Sequence, residues 1–201
     1  MRRIVAFNWM TEDGYFAASD GSLDWVVPDE EQTKAAAEDI QNVDTALFGR
    51  RTYGIFEEFW SPMVADASGT VPDPHNPGRR SRGYAAIATA LNTMKKVVFS
   101  RTLRAATWKN SHVIRDLDPG QIEVMKREPG RDMMIFGSSS ITSLLSQHGL
   151  IDEYQYVVCP VLLGNGQSLL RGMSRRLRLG LAQVRQLPSG DVMLKYSRQS
   201  G

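Results

Sequence analysis

The sequence predicts an α/β fold: a mostly parallel sheet with antiparallel strands at its C-terminal edge. Three observations carry this. Short apolar, β-prone runs alternate with helical patterns from Ile4 to Gln147, the signature of strands joined by helical crossovers. After Asp152, β-prone runs follow one another, and Pro188-Ser189-Gly190-Asp191 joins the last two as a hairpin. The chain has 201 residues, 42% hydrophobic and 23% charged, which suits one domain over 1–201 with a sizeable core.

Ile4 to Trp9 is short and apolar, a buried strand. Pro28-Asp29-Glu30-Glu31 reads as a helix start with acids in the first turn, and that helix runs to about Asn42. Thr45 to Phe48 is a strand, and Gly49-Arg50-Arg51-Thr52 turns it into a helix through Phe59. Four prolines and two glycines make helix or strand unexpected over 61–82, a long loop of the kind that carries function. A helix covers Tyr84 to Asn92; Lys96 to Phe99 and His112 to Ile114 are strands. Pro119 to Arg127 is helical, Met133 to Phe136 a strand, and Gly137 opens a helix to Gln147. Tyr154 to Cys159, Leu177 to Gln186 and Val192 to Tyr196 complete the strands.

The net charge of +2 does not point to nucleic acid, and Arg175, Arg176 and Arg178 form only a short basic run. The single cysteine, Cys159, lies among Val157, Val158, Pro160 and Val161, and reads as a buried thiol or, alternatively, a reactive one. No stretch approaches a membrane span and the N-terminus lacks a secretion signal, so a cytoplasmic protein is expected. His75, His112 and His148 are far apart and at no metal-ligand spacing, so no metal is expected. No serine sits in the nucleophile-elbow pattern G-x-S-x-G.

Two strand-to-helix turns carry the chemistry: Leu47-Phe48-Gly49-Arg50-Arg51-Thr52 and Ile135-Phe136-Gly137-Ser138-Ser139-Ser140. In each, glycine permits a sharp turn, and the free N–H groups and dipole of the next helix attract anions. Helix capping by the serines is the other reading of Ser138 to Ser140. Val97-Val98-Phe99-Ser100-Arg101 puts a hydroxyl and a guanidinium just past a strand's carboxyl end, where open α/β sheets bind ligands. A solvated arginine at a strand end is the alternative.

The succession GRRT, VVFSR, IFGSSSI and Pro160-Val161-Leu162-Leu163-Gly164-Asn165-Gly166, with Asp13-Gly14-Tyr15-Phe16-Ala17 and Asp20-Gly21-Ser22-Leu23-Asp24-Trp25 before it, resembles the dihydrofolate-reductase-like superfamily. It looks closest to stand-alone relatives of the reductase domain of the bifunctional riboflavin-biosynthesis deaminase/reductase. The resemblance implies a dihydrofolate-reductase-like three-layer sandwich and NADPH as cofactor. It places the nicotinamide nucleotide's phosphates at Gly49, Arg50 and Thr52, with Arg51 beside them as a further cofactor-binding residue that, like Arg50, can pair with a 2′-phosphate. The adenosine ribose and its 2′-phosphate fall at Ser100 and Arg101, and the pyrophosphate at Gly137, Ser138, Ser139 and Ser140. Many members have a second glycine where this chain has Ser138, whose backbone is less free at positive φ. Relatives often pair through the antiparallel edge, which implies a homodimer.

Dihydrofolate reductases carry a carboxylate five positions after a loop tryptophan. Here Asp29 and Glu30 follow Trp25 by four and five, which makes them candidate acids for protonating the reduced bond. Stabilising a helix N-terminus is their other reading. Asp24 and Trp25 are candidates for lining the substrate pocket, with core packing the alternative for Trp25. The resemblance thus implies an NADPH-dependent reductase of a small pteridine-like or ribosylamino-pyrimidine-like molecule, akin to 5-amino-6-(5-phosphoribosylamino)uracil reductase. The alternative is a non-catalytic NADPH-binding module or redox-cofactor sensor.

Overall fold

The computed structural model describes residues 1–27 and 29–199. Pro28, the first residue of the expected helix-start motif, lies outside the described residues. Strand β1 (Ile4–Thr11) runs through the middle of the sheet, flanked in parallel by β8 (Asp132–Phe136) and β9 (Glu153–Cys159). On the far side of β8 lie β3 (Val43–Gly49), β6 (Lys95–Phe99) and β7 (Ser111–Ile114), all parallel. Beyond β9, β12 (Val192–Arg198) and β11 (Leu179–Gln186) pair antiparallel and make the expected hairpin edge. The spatial order is β11-β12-β9-β1-β8-β3-β6-β7. The carboxyl ends of β1, β3, β6 and β8 therefore open on one edge. There the chain reverses its direction of travel across the sheet, and β8 is threaded between β1 and β3.

Both faces of the sheet are covered, which explains the near-continuous apolar strands. On one face α1 (Glu30–Asp39), α2 (Arg50–Trp60) and α3 (Arg82–Thr93) pack Ala36, Tyr53, Phe56, Ile87 and Leu91 against Val5, Ala46, Phe48, Val98 and Met134. On the other, α4 (Pro119–Arg127) and α5 (Ser139–Gln147) pack Ile122, Ile141 and Leu145 against Ile4, Ala6, Leu47, Val97 and Ile135. These are the three layers the resemblance implied. Alternate residues of β1 and β3 enter opposite cores, as the period of two demands.

The structure adds elements that local pattern does not reveal. The α-helix of α1 ends at Asp39, and the chain tightens into a 3-10 turn over Ile40–Asn42 before β3. Within the expected loop, β4 (Val71–Pro72) and β5 (Arg80–Ser81) pair as a small ribbon, and Val71 is fully buried. Strand β2 (Tyr15–Ala17) pairs with β10 (Gln167–Ser168) above the carboxyl edge. Asp13 fixes that arrangement: its Oδ2 accepts from the Leu163 and Gly164 backbone N–H groups at 3.0 and 2.7 Å.

One charge is buried alone in the α1–α3 core. The Lys96 Nζ donates to the carbonyls of Leu91 (2.6 Å) and Met94 (2.8 Å) and lies 4.5 Å from the centre of a Trp108 ring. Burial lowers its pKa to about 8. Cys159 is buried too, and desolvation together with Asp191 pushes its thiol up to about 12. It is a core thiol.

Candidate functional site

A cavity of about 260 Å³ opens at the carboxyl edge of the sheet, where β8 ends between β1 and β3. Its walls are largely aromatic, from Phe7, Trp9, Phe16, Phe56 and Phe136, with Leu23 and Ile55 as further apolar lining. Its polar lining comes from Asn8, Arg50, Arg51, Thr52, Ser138, Ser139, Ser140 and Gln167. None of its lining residues is an acid.

The two glycine turns meet in this cavity. A side chain on Gly49 would place its Cβ 2.5 Å from the Ser138 Oγ, and one on Gly137 would sit 3.6 Å from the Thr52 methyl. The helices they open differ from the rest. Side chains close three N-termini: Asp29 accepts from the Gln32 N–H in α1, Ser81 from Tyr84 in α3, and Asp118 from Gly120 in α4. The N-termini of α2 and α5 have no such cap. Their first backbone N–H groups are left for another acceptor, with both helix dipoles adding a positive field.

The capping reading of Ser138 fails on geometry. Ser138 occupies the N-cap position of α5 but has φ 55° and ψ 76°, in the left-handed region, and its hydroxyl makes no cap bond. Gly137 before it is left-handed too, at φ 57°. Two successive left-handed residues turn the chain sharply, so the missing second glycine does not abolish the turn. Serine bears a strain of about 1–2 kcal/mol there, the sort of cost that persists at ligand sites. Arg51 is tied to the loop after β2, donating to the Asp20 carbonyl at 3.0 Å.

The other expected site residues fall elsewhere. Ser100 and Arg101 lie on the same sheet edge, just past the Gly49–Phe99 register pair, but outside the cavity wall. The Ser100 Oγ accepts from the Thr102 and Leu103 N–H groups, and Arg101 pairs with Asp116 at 2.6 Å in solvent. Trp25 is core: it is 8% exposed and packs with Ala35, Val157, Leu187 and Met193. Asp24 is exposed, accepting from the Ser22 hydroxyl, and the cavity takes Gly21 and Leu23 from this loop instead. Asp29 does not reach the cavity. Its buried carboxylate caps α1 and also accepts from the Ser189 N–H at 3.0 Å, tying the β11–β12 hairpin to the helix. Desolvation raises its pKa, but the bonds from Gln32 and Ser189 outweigh that and hold it below the ordinary value. The Glu30 side chain is 86% exposed and 3.9 Å from Arg79. These two acids sit at a helix start and outside the cavity wall: Asp29 is committed to the cap and to Ser189, and Glu30 lies in solvent beside Arg79.

Sequence reasoning missed Asn8, the aromatic walls and Gln167. Asn8 did leave a signal, as a polar residue inside the otherwise apolar run Ile4 to Trp9. The wall residues left none, because their convergence depends on the β2–β10 pairing and on α2. Among the described residues no cluster of three or more His, Cys, Asp or Glu could hold a metal, and no helix is long and apolar enough to cross a membrane.

Comparison with known proteins agrees with this architecture. The family model described as the RibD C-terminal domain matches residues 2–193. The Bacillus subtilis protein YyaP, uncharacterized, is 25% identical over 97% of this chain and 94% of its own. The uncharacterized YwjB of the same organism is 24% identical over 98% of each. A solved structure named for riboflavin biosynthesis from Shewanella sp. PV-4 superposes with a TM-score of 0.70 at 18% identity, covering 98% of this chain and 99% of the other. Acinetobacter baumannii RibD superposes with a TM-score of 0.62 at 19% identity over all of this chain, which spans 59% of that longer protein.

Proposed function

The chain belongs to the RibD C-terminal domain family, and on that premise we propose that it is an NADPH-dependent reductase of a small planar heterocycle, pyrimidine-like or pteridine-like. One observation carries the proposal: the two uncapped helix N-termini, of α2 and α5, converge on a cavity that has two arginines and no acid. Such a place suits an anion, and a pyrophosphate can use both helices together. At Gly49 the Ser138 Oγ leaves no room for a Cβ, and Gly137 is left-handed, so both turns bring backbone close to the cavity beside the serine and threonine hydroxyls. NADPH fits this donor set. Gly49 to Thr52 and Gly137 to Ser140 would hold its phosphates, and Arg101 its 2′-phosphate in competition with Asp116.

When bound, the cofactor supplies the hydride. The aromatic walls hold a flat ring and exclude water. With no acid on the wall, the proton comes from water or from the hydroxyls of Thr52 and Ser138 to Ser140, rather than from a carboxyl group. That absence also favours a second reading, a cofactor-binding module without catalysis.

The test is fluorescence titration with NADPH and NADH, followed by NADPH oxidation across pyrimidine and pteridine candidates. Tighter binding of NADPH is expected, with the preference shrinking by about tenfold in Arg101→Ala, the lower end for a charge-assisted contact in solvent. Equal affinity for the two cofactors in the wild type refutes the 2′-phosphate assignment. NADPH binding without turnover on any candidate favours the module.

A further inference from the structure

Among the described residues, Asn8 is the buried side chain with the most polar atoms left unpartnered. It is 2% exposed, on the central strand β1, and it lines the cavity. Neither its Oδ1 nor its Nδ2 has a hydrogen-bond partner among the described residues, and no other buried side chain there has two orphaned polar atoms. The buried polar side chains Thr45 and Gln155 of the sheet are matched, the first by Arg2 and Asp44 and the second by Glu153, and Lys126 of α4 is matched by Asp152 and the Leu150 carbonyl. Burying an amide head without partners costs free energy that an apolar side chain of the same branched shape would not incur.

Its position explains what the amide faces. The pairing of β1 with β8 ends at Phe7–Phe136, and the Gly137 N–H makes the last bond, to the Phe7 carbonyl at 3.1 Å. Asn8 is the next residue. It still pairs with Tyr156 of β9 on one side, but β8 has already turned away on the other. Asn8 therefore stands where β8 leaves β1, and it is one of the residues that line the cavity. A side chain there whose local rule is broken, with no structural gain, is expected to be a binding residue.

We propose that Asn8 reads an amide edge, a carbonyl beside an N–H, on the molecule held in this cavity. Its Oδ1 accepts from the ligand N–H while its Nδ2 donates to the ligand carbonyl. Both a nicotinamide carboxamide and the lactam of a pyrimidinone carry that edge. The proposal rests on the reductase reading for these two sources, and the experiment separates them. Asn8 acts here as a specificity-determining residue, and no proton transfer is assigned to it.

The experiment compares wild type with Asn8→Leu, of the same branched shape, in ligand-free thermal melts and in titrations with three probes: NADPH, 2′-phosphoadenosine diphosphoribose, which lacks the nicotinamide, and uridine 5′-monophosphate. Asn8→Leu is expected to melt at or above the wild-type temperature while losing about tenfold in affinity for an amide-bearing probe, the worth of one to two buried bonds. Affinity for 2′-phosphoadenosine diphosphoribose should be unchanged. A loss confined to NADPH identifies the cofactor as the source, and a loss confined to uridine monophosphate identifies the substrate. If wild type fails to bind NADPH, the cofactor reading falls while the uridine arm still tests Asn8. Undiminished affinity of Asn8→Leu for both amide-bearing probes overturns the proposal. So does a lower melt with all probes weakened alike, which would make Asn8 structural, and so does a wild type that binds neither amide-bearing probe. Asn8→Ala, judged by the same titrations, replaces the leucine variant if that variant does not fold.

Discussion

Replacing Asp29 separates a structural carboxylate from a catalytic one. In the structure each carboxylate oxygen has one backbone partner at 3.0 Å, Gln32 N–H within α1 and Ser189 N–H in the β11–β12 turn. Asp29→Ala removes a helix cap, worth about 1 kcal/mol. It also removes a charge-assisted bond, worth about 1.5 kcal/mol at the low end suited to the half-buried Ser189. The sum is about 2.5 kcal/mol, which for a chain of this size lowers the melting temperature by roughly 5–10 °C. Asp29→Asn keeps an acceptor and should lose about half as much. The pH dependence has a definite sign. A carboxyl group whose folded pKa is depressed stabilises the fold above its unfolded value, and that contribution is lost as pH falls from the ordinary 3.8 through the lower folded value. Wild type should therefore lose its advantage over Asp29→Ala in acid. The assay is thermal melting from neutral pH to pH 3 or so, beside NADPH titration and turnover measured well below the melt. Unchanged stability with turnover abolished would refute this reasoning and restore Asp29 as the acid.

Three further outcomes are expected. Gly137→Val should bind NADPH much more weakly while staying folded: φ is 57° and the nearest neighbour of a new Cβ is Thr52 at 3.6 Å, so the cost is backbone strain of about 1–2 kcal/mol rather than a clash; normal NADPH affinity in the folded variant would make the turn a mere connection. Lys96 keeps its proton less well folded, at about 8, than unfolded, at 10.5, so wild type should gain stability over Lys96→Met as pH rises between those values, and parallel curves in pH-resolved urea melts would contradict it. The chain is expected to form a homodimer along β11, the outermost strand at its edge, where Leu181 and Val184 are 57% and 54% exposed; a monomer by light scattering removes this expectation.

What the sequence determined was local in origin. Strands β1, β3, β6, β8 and β9 and all five helices follow from apolar period and end signals, because each is encoded within a dozen residues. The Gly49 and Gly137 turns were legible for the same reason: a glycine between a strand and a helix marks a sharp turn wherever the rest of the chain lies. The tertiary structure decided what depended on distant partners. Asp29 looks identical in sequence whether it points to a substrate or to Ser189, and only the docking of the β11–β12 hairpin, 160 positions away, commits it to the helix start. Trp25 and Leu23 are two residues apart, yet one enters the core beside Val157 while the other faces the cavity. Asn8 gains its meaning from the end of β8, a strand more than a hundred residues later, beside which its amide has no partner among the described residues. Local preference sets the elements, but burial and hydrogen-bond matching are properties of the assembled chain, and they choose which of the legible residues form the site.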